Sequence, residues 1–213
     1  MRLDHVSYAV SHAELADTVQ RLGSQLGGTF VDGGRHPTFG TNNFVLPLTG
    51  RTYLEVVAAL DHPAAEKAPF GRAVRARADA GGGWMGWVIA VEDIAPIEAR
   101  LGRSAVDGHR VRPDGVTLKW KQIGINDVLA DASLPFFAQW TCSSALHPSV
   151  VAEPTVTAVA CEISGDRSRI HEWIGGDLES PVAGSAISWV DNDQQGLVAV
   201  HFRTAAGEIV RID

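Results

Sequence analysis

Hydrophobic residues near the start of the chain change their period within thirty positions. A β-branched and aromatic run, His5–Val10, predicts a strand. Three apolar residues then recur at the spacing of one helix face: Leu15, Val19 and Leu22. Ser11 and Glu14 have the spacing of a capping box, which predicts the helix start, and Gly23 predicts its end.

Three short strand-like runs follow the predicted helix and are separated by turns rich in Gly, Pro and Asn. They lie at residues 28–34, 42–48 and 52–57. The order strand, helix, three strands begins again at Gly86, and a third, less regular copy begins at Thr155. Repeats of this βαβββ kind predict an α+β protein with curved, mostly antiparallel sheets and helices outside them.

The repeat divides the chain into three predicted units. Their boundaries are residues 1–66, 84–140 and 155–213. The segments between them are predicted linkers: residues 67–83 and 141–154. His147 lies in the second linker, where the sequence predicts a turn. When the first strands of the first two units are aligned, His5 matches Gly86.

Composition excludes several classes of function. The chain has 213 residues and a formal net charge of -7, and it contains no run of Lys or Arg, so neither nucleic acid nor an anionic membrane is an expected partner. The two cysteines form no CxxC motif, which argues against a disulfide framework or a zinc finger. The sequence has no apolar run of the roughly 20 residues that span a bilayer and no signal peptide, so we expect a cytoplasmic protein.

Glu55 is a carboxylate in the middle of the fourth predicted strand of the first unit. A charge in mid-strand is costly to bury unless something pairs with it. Three environments are open: a solvated face, a basic neighbour such as Arg35 or Arg112, or a metal ion. Tyr53 and Val57 share a face of the strand with Glu55 because side chains alternate along a strand.

Six motifs in this order resemble the vicinal oxygen chelate superfamily, and within it the glyoxalase-like proteins with an extra C-terminal half. They are LDHVSYAV, GGRHPTFGTNNFVLPL, YLEVV, RPDGVTLKW, LPFFAQW and HPS. The resemblance covers nearly the whole chain, more loosely after residue 155. It implies the repeated βαβββ fold and a concave cup between the first two units.

The resemblance also implies a metal site, because in metal-binding members the first and last strands of each unit each supply one ligand to the cup. Carried onto this chain, the first unit supplies His5 and Glu55, and Glu55 is also a candidate catalytic group. In the second unit Gly86 has no side chain, and Gln139 offers an amide oxygen. Imidazole and carboxylate ligands suit Zn, Ni, Fe or Mn. The alternative is that His5 is a hydrogen-bonded structural histidine.

Other polar and aromatic residues are candidates for the same cup. His36 lies in a Gly-, Pro- and Asn-rich loop and is a candidate acid–base group, since its ordinary pKa is near neutrality. Arg35 and Asn43 in that loop are candidate substrate-binding residues, although turn chemistry explains them as well. Trp120 and Trp140 either line a pocket for an apolar or aromatic ligand or belong to the core.

Two functions follow from these observations. The first is a metal-dependent enzyme of lyase, isomerase or dioxygenase type that acts on vicinal oxygens of a small organic substrate. The second is a metal-free protein that binds or sequesters an aromatic or antibiotic-like ligand. In both cases we expect a small-molecule partner and a monomer or homodimer.

Overall fold

A computed structural model describes residues 1–176 and 186–213. The first elements are β1 Arg2–Val10, α1 Leu15–Leu26, β2 Val31–His36, β3 Thr41–Leu48, β4 Thr52–Ala59, α2 Pro63–Lys67 and α3 Pro69–Asp79. Next come β5 Gly83–Ala90, α4 Ala95–Leu101, β6 Val106–Val111, β7 Thr117–Ile123, α5 Ile125–Ala130 and β8 Phe136–Trp140. The last are β9 Thr157–Ser164, α6 Arg167–Ile174, β10 Ala186–Trp189, β11 Gly196–Arg203 and β12 Ile209–Ile212.

The first eight strands close into a barrel in the order β1-β4-β3-β2-β6-β7-β8-β5. Within it β1 runs parallel to β4 and β5 parallel to β8, and the other pairs are antiparallel. The remaining strands form a separate sheet in the order β10-β9-β11-β12. This architecture confirms the α+β class with curved, mostly antiparallel sheets that the repeat predicts.

The two halves of the barrel pair their first and last strands in the same register. Ser7 pairs with Glu55 between β1 and β4, and Val88 pairs with Phe136 between β5 and β8. The antiparallel pairing of β1 with β5, where the two halves meet, agrees with this register. The position in the second half that corresponds to Glu55 is therefore Phe136.

A β-bulge in β1 changes the direction of two consecutive side chains. Leu3 pairs with Ile89 and His5 pairs with Val88, which leaves Asp4 as the extra residue on its strand. A bulge disturbs the strict alternation of side chains along a strand. As a result, the Asp4 carboxylate and the His5 ring lie in hydrogen-bond contact even though the two residues are neighbours in sequence.

The segment 67–83, predicted as a linker, is largely helical. It contains the whole of α3, and Phe70, Ala73 and Val74 on this helix are buried with Val57 of β4 in one apolar cluster. Phe70, Ala73 and Val74 stand at helical spacing, which is the pattern that identifies a packed helix.

The ends of α1 differ in how well the sequence predicts them. The Ser11 backbone N–H donates to Glu14 Oε2 at 3.3 Å, and the Glu14 backbone N–H donates to Ser11 Oγ at 3.3 Å. The two bonds of a capping box are therefore present, in the turn just before the first residue of α1, Leu15. The predicted end at Gly23 is wrong, because the helix continues to Leu26. It ends at Gly27, whose φ of 64° is the left-handed conformation that glycine adopts without steric cost.

The C-terminal sheet packs against the outer face of β5. Trp84 Nε1 donates to the Ile212 carbonyl at 3.0 Å, and the Trp84 ring stacks near Phe202. Residues 177–185 of the third predicted unit lie outside the described residues, and β10 begins at Ala186. Within the described part of the chain, no helix has both the length and the hydrophobicity that a bilayer crossing requires.

Candidate functional site

A cavity of about 30 Å³ lies inside the barrel, enclosed by strands of both halves and by α3. Its polar lining is His5, His36, Tyr53, Glu55, Arg110 and Gln122, and its apolar lining is Phe39, Phe70, Trp120, Phe136, Ala138 and Trp140. This volume is much smaller than the roughly 150 Å³ of a cavity that holds benzene. An organic ligand therefore requires the aromatic side chains to move apart.

The Asp4 carboxylate lies behind His5 and is fully buried. His5 Nδ1 lies 2.9 Å from Asp4 Oδ2, His147 Nε2 lies 3.1 Å from Oδ1, and Trp140 Nε1 donates to Oδ2 at 3.1 Å. The Arg2 guanidinium forms an ion pair with the same carboxylate at 3.0 Å. Asp4 is thus held by four partners and cannot turn away from His5.

The charge of Asp4 determines which nitrogen of neutral His5 carries the proton. Burial alone would raise the Asp4 pKa, but hydrogen bonds from His147 and His5 hold that pKa far below its usual range. An ionised carboxylate only accepts hydrogen bonds, so His5 Nδ1 must be the donor. In neutral His5 the Nε2 lone pair is then free, and Nε2 lies 3.8 Å from Glu55 Oε2.

Glu55 is buried and ionised beside His5. Its Oε2 accepts a hydrogen bond from Ser7 Oγ at 2.8 Å, and its Oε1 accepts one from Asn43 Nδ2 at 2.5 Å. Burial raises the Glu55 pKa, but attraction to the protonated forms of His5 and His36 and these two hydrogen bonds outweigh burial and lower it. Of the three environments open for Glu55, the solvated face is excluded because the side chain is buried.

His36 is buried and lines the same cavity. Its Nδ1 lies 2.9 Å from Thr41 Oγ1, and its ring meets Trp120 edge to face at 5.9 Å. Burial lowers the His36 pKa to about 4, although the Glu55 charge acts in the other direction. His36 is therefore neutral at neutral pH.

Aromatic rings surround the polar groups. The Tyr53 ring stacks on His5 with centroids 4.4 Å apart, and burial raises the Tyr53 pKa well above its usual value. Trp120 and Trp140 lie 5.4 Å apart on the second half of the barrel. Gly108, opposite Trp120 on β6, leaves space for that indole, since a Cβ there would lie 2.4 Å from the ring.

The structure brings most of the predicted site residues together. His5, His36 and Glu55 line the cavity, as do Trp120 and Trp140. Asn43, predicted to bind substrate, lies behind the lining and supports Glu55.

Two predicted residues lie outside the cavity. Arg35 points outward from β2 and is exposed, while the next residue, His36, points inward. Gln139 lies on the outer side of β8, where its Nε2 donates to the Glu92 carbonyl and its Oε1 accepts from the Ile94 backbone N–H. Its neighbour Ala138 faces the cavity instead, which corrects the expected match between Gln139 and Glu55.

The residues present do not fit the four-ligand divalent metal site that the resemblance implies for Zn, Ni, Fe or Mn. The two second-half positions are Gly86, with no side chain, and Phe136, an apolar ring. His5 and Glu55 remain as strong ligands, and both Glu55 oxygens already accept hydrogen bonds. Among the described residues, no group of three or more His, Cys, Asp or Glu side chains is arranged to hold an ion.

The sequence interpretation did not identify Asp4, Phe70 or Arg110 as site residues. Arg110 stands directly opposite Leu118 on β7, and directly opposed residues point to the same face. Alternation in β7, with Leu118 and Trp120 on one face, was the signal that could have placed Arg110 inside. Asp4 gave no such signal, because strand alternation without the bulge directs it away from His5.

The chain is similar to known proteins in sequence and in fold. A family profile described as "Glyoxalase-like domain" matches residues 3–174. A hypothetical protein from Staphylococcus aureus superposes with a TM-score of 0.75 at 14% identity, over 100% of this chain and 98% of that chain, which shows a shared fold. No protein of curated function matches this sequence.

Two methylmalonyl-CoA epimerases give lower scores. The enzyme from Mycobacterium tuberculosis has a TM-score of 0.44 at 16% identity, covering 68% of this chain and 90% of that chain. The enzyme from Streptomyces coelicolor, in complex with 2-nitronate-propionyl-CoA, has a TM-score of 0.45 at 18% identity, covering 68% and 99%. Because the family profile matches most of its length, this chain belongs to the glyoxalase-like domain family.

Proposed function

We propose that this protein is an enzyme that transfers a proton on a small organic substrate, with His5 as the general base. The observation that carries the proposal is the buried Asp4–His5 pair, whose free Nε2 faces an aromatic-lined cavity beside Glu55. A histidine oriented by a buried carboxylate is a common device for proton abstraction. The reaction class is an isomerase or lyase step that begins at an acidic carbon–hydrogen bond.

Each of three residues has a distinct role in the proposed step. His5 Nε2 takes the proton from carbon and becomes an imidazolium, while the electron pair of the broken bond moves into the substrate's carbonyl. Asp4 stabilises that imidazolium through Nδ1, at 2.9 Å. Glu55, 3.8 Å from Nε2, adds a second negative charge on the side of the transferred proton. Return of the proton to the enolate oxygen, or to the opposite face of the same carbon, completes an isomerisation.

The surroundings of His5 suit this chemistry. The rings of Tyr53 and Phe136 lie 4.4 Å and 6.1 Å from the imidazole and keep bulk water away from it. Low local polarity strengthens the interaction between the imidazolium and the two carboxylates. The proposal draws on no metal ion, because the ligand set for one is incomplete at Gly86 and Phe136.

Solvent exchange tests the proposal with phenylpyruvate, an aromatic 2-oxo acid whose methylene protons are acidic. The chelator-treated protein is placed in D₂O with this probe, and loss of the methylene signal is followed by proton NMR against a protein-free blank. We expect faster exchange with the wild type, the blank rate with His5→Gln, and the wild-type rate with His12→Gln, which changes an exposed histidine. Equal rates for wild type and His5→Gln, with both folded, would overturn the assignment of His5.

The aromatic lining also favours a second candidate, a protein that sequesters an aromatic ligand without changing it. Six aromatic or apolar side chains enclose the cavity, and such surfaces bind apolar compounds without further chemistry. The exchange experiment separates the two candidates. Saturable binding of the probe without any exchange above the blank would favour sequestration.

A further inference from the structure

Arg110 is a buried cation with only part of its hydrogen-bonding capacity used. Its side chain is 2% exposed and lines the cavity. Nη1 donates to Asn43 Oδ1 at 3.1 Å, whereas Nε and Nη2 are buried without a partner among residues 1–176 and 186–213. Buried charges are normally paired, since leaving them unpaired costs free energy. The two free groups can therefore donate to an anionic ligand.

The fold holds this guanidinium close to Glu55 without letting the two charges pair. Asn43 stands between them: its Oδ1 accepts from Arg110, and its Nδ2 donates to Glu55 Oε1. Gly33 leaves the space for this arrangement, because a Cβ there would lie 2.8 Å from Arg110 Nη1 and 2.2 Å from Asn43 Oδ1. Glu55 is satisfied by Ser7 and Asn43, so Arg110 keeps its capacity for another acceptor.

We propose that Arg110 binds the carboxylate of a small aromatic acid and thereby orients the substrate for His5; the inference names the substrate class of the proposed active site and so rests on that proposal. The planar guanidinium presents two neighbouring N–H groups that match the two oxygens of a carboxylate. Phe39, Phe70 and Phe136 line the same cavity and suit an aromatic body. The carboxylate also compensates the buried charge of Arg110.

Arg110 borders a second, outer depression of about 190 Å³, which is a less suitable place for an anion. Two carboxylates, Asp32 and Asp114, line that depression. The other cation there, Arg112, already pairs with Asp114 at 2.6 Å. The inner cavity, by contrast, contains one carboxylate, Glu55, and its oxygens are occupied.

The test compares two probes of nearly equal shape, phenylacetate and its uncharged amide phenylacetamide, by calorimetric titration. We expect the wild type to bind the acid at least about tenfold more tightly than the amide, since hydrogen bonds to charged groups are strong. Arg110→Met should remove this preference, and Arg110→Lys should keep only part of it, because an ammonium lacks the planar fork. Arg112→Met is the matched control and should keep the preference.

Thermal unfolding of the ligand-free variants separates a ligand-binding arginine from a structural one. A buried arginine without a bound anion lowers the stability of the ligand-free protein. Arg110→Met should therefore unfold at the same temperature as the wild type or at a higher one. Phenylacetate should raise the unfolding temperature of the wild type but not that of Arg110→Met.

Three results would overturn the inference: equal affinity of the wild type for acid and amide, retention of the preference in Arg110→Met, or its loss in Arg112→Met. Failure of the proposed function is seen separately. An acid preference without phenylpyruvate exchange overturns the role of His5 alone, whereas exchange without an acid preference overturns the role of Arg110 alone.

Discussion

The two halves of the barrel share one strand order but differ at two equivalent positions that face the cavity. The first half contributes His5, His36 and Glu55, and at the positions of His5 and Glu55 the second half has Gly86 and Phe136. Both halves keep the same backbone pairing, so the repeat is maintained by main-chain hydrogen bonds and outward packing. The inner face is free to differ, which shows why function is assigned from a site and not from a fold.

The largest expected effect comes from removing the proposed base, His5, from the first half of the barrel. His5→Gln should lower the phenylpyruvate exchange rate by about 10³-fold, within the range of general acid–base contributions. Phe136→Leu, at the position of the second half that corresponds to Glu55, keeps an apolar side chain and should retain much more of the rate than His5→Gln. A similar loss in both variants would contradict the division of labour between the halves.

The next largest effect concerns stability in acid. It should depend on His36 of the first half, because that histidine is buried and neutral. Its pKa is about 4 when folded and near 6.5 when unfolded, so the unfolded chain binds more protons between these values. Stability should therefore fall as pH drops from about 6.5 to about 4, by about 3 kcal/mol in total from this group. Urea unfolding at several pH values should show a smaller loss for His36→Gln than for wild type. Identical losses would contradict a buried, neutral His36.

Asp4→Asn tests the support behind His5. An amide at position 4 can donate to Nδ1 and shift the His5 proton to Nε2, so we expect exchange to fall by about 10–100-fold, as for other supporting partners. Trp140→Phe removes a different donor to the same carboxylate and should have a smaller effect. If Asp4→Asn left the rate unchanged, the tautomer argument would be wrong.

Two substitutions can supply the metal ligands that the second half of the barrel lacks. The double variant Gly86→His and Phe136→Glu should bind Ni²⁺ at least about tenfold more tightly than wild type, since it adds an imidazole and a carboxylate opposite His5 and Glu55. A Cβ at Gly86 meets only Val128, at 3.8 Å, so the backbone accepts a side chain. If the folded double variant and the wild type bound Ni²⁺ with equal affinity in calorimetry, the shared strand register of the two halves would be wrong.

Gln139→Ala should have the smallest effect. The side chain bonds two backbone groups outside the barrel, so we expect a loss of about 1 kcal/mol in unfolding free energy and an unchanged exchange rate. If the folded variant lost its proton exchange, Gln139 would have to be a residue of the site.

The sequence was most informative where periodicity reports on packing. The alternation of apolar and charged residues from Leu118 to Gln122 agrees with β7, where Trp120 and Gln122 are buried and the lysines between them are exposed. The strand–helix repeat predicted the α+β architecture. It was least informative where a local irregularity decides geometry. The bulge at Asp4 creates the Asp4–His5 contact, and motif alignment alone could not distinguish Gln139 from Phe136 as the match to Glu55.

The central claim is that proton transfer depends on the Asp4–His5 pair of the first half and not on ligands shared between the halves. The most direct test is the phenylpyruvate exchange rate of chelator-treated wild type, measured before and after addition of Zn²⁺ or Ni²⁺. We predict an exchange rate above the blank that persists in chelator and changes little on adding either ion. Exchange that disappears in chelator and returns with the ion would contradict the claim.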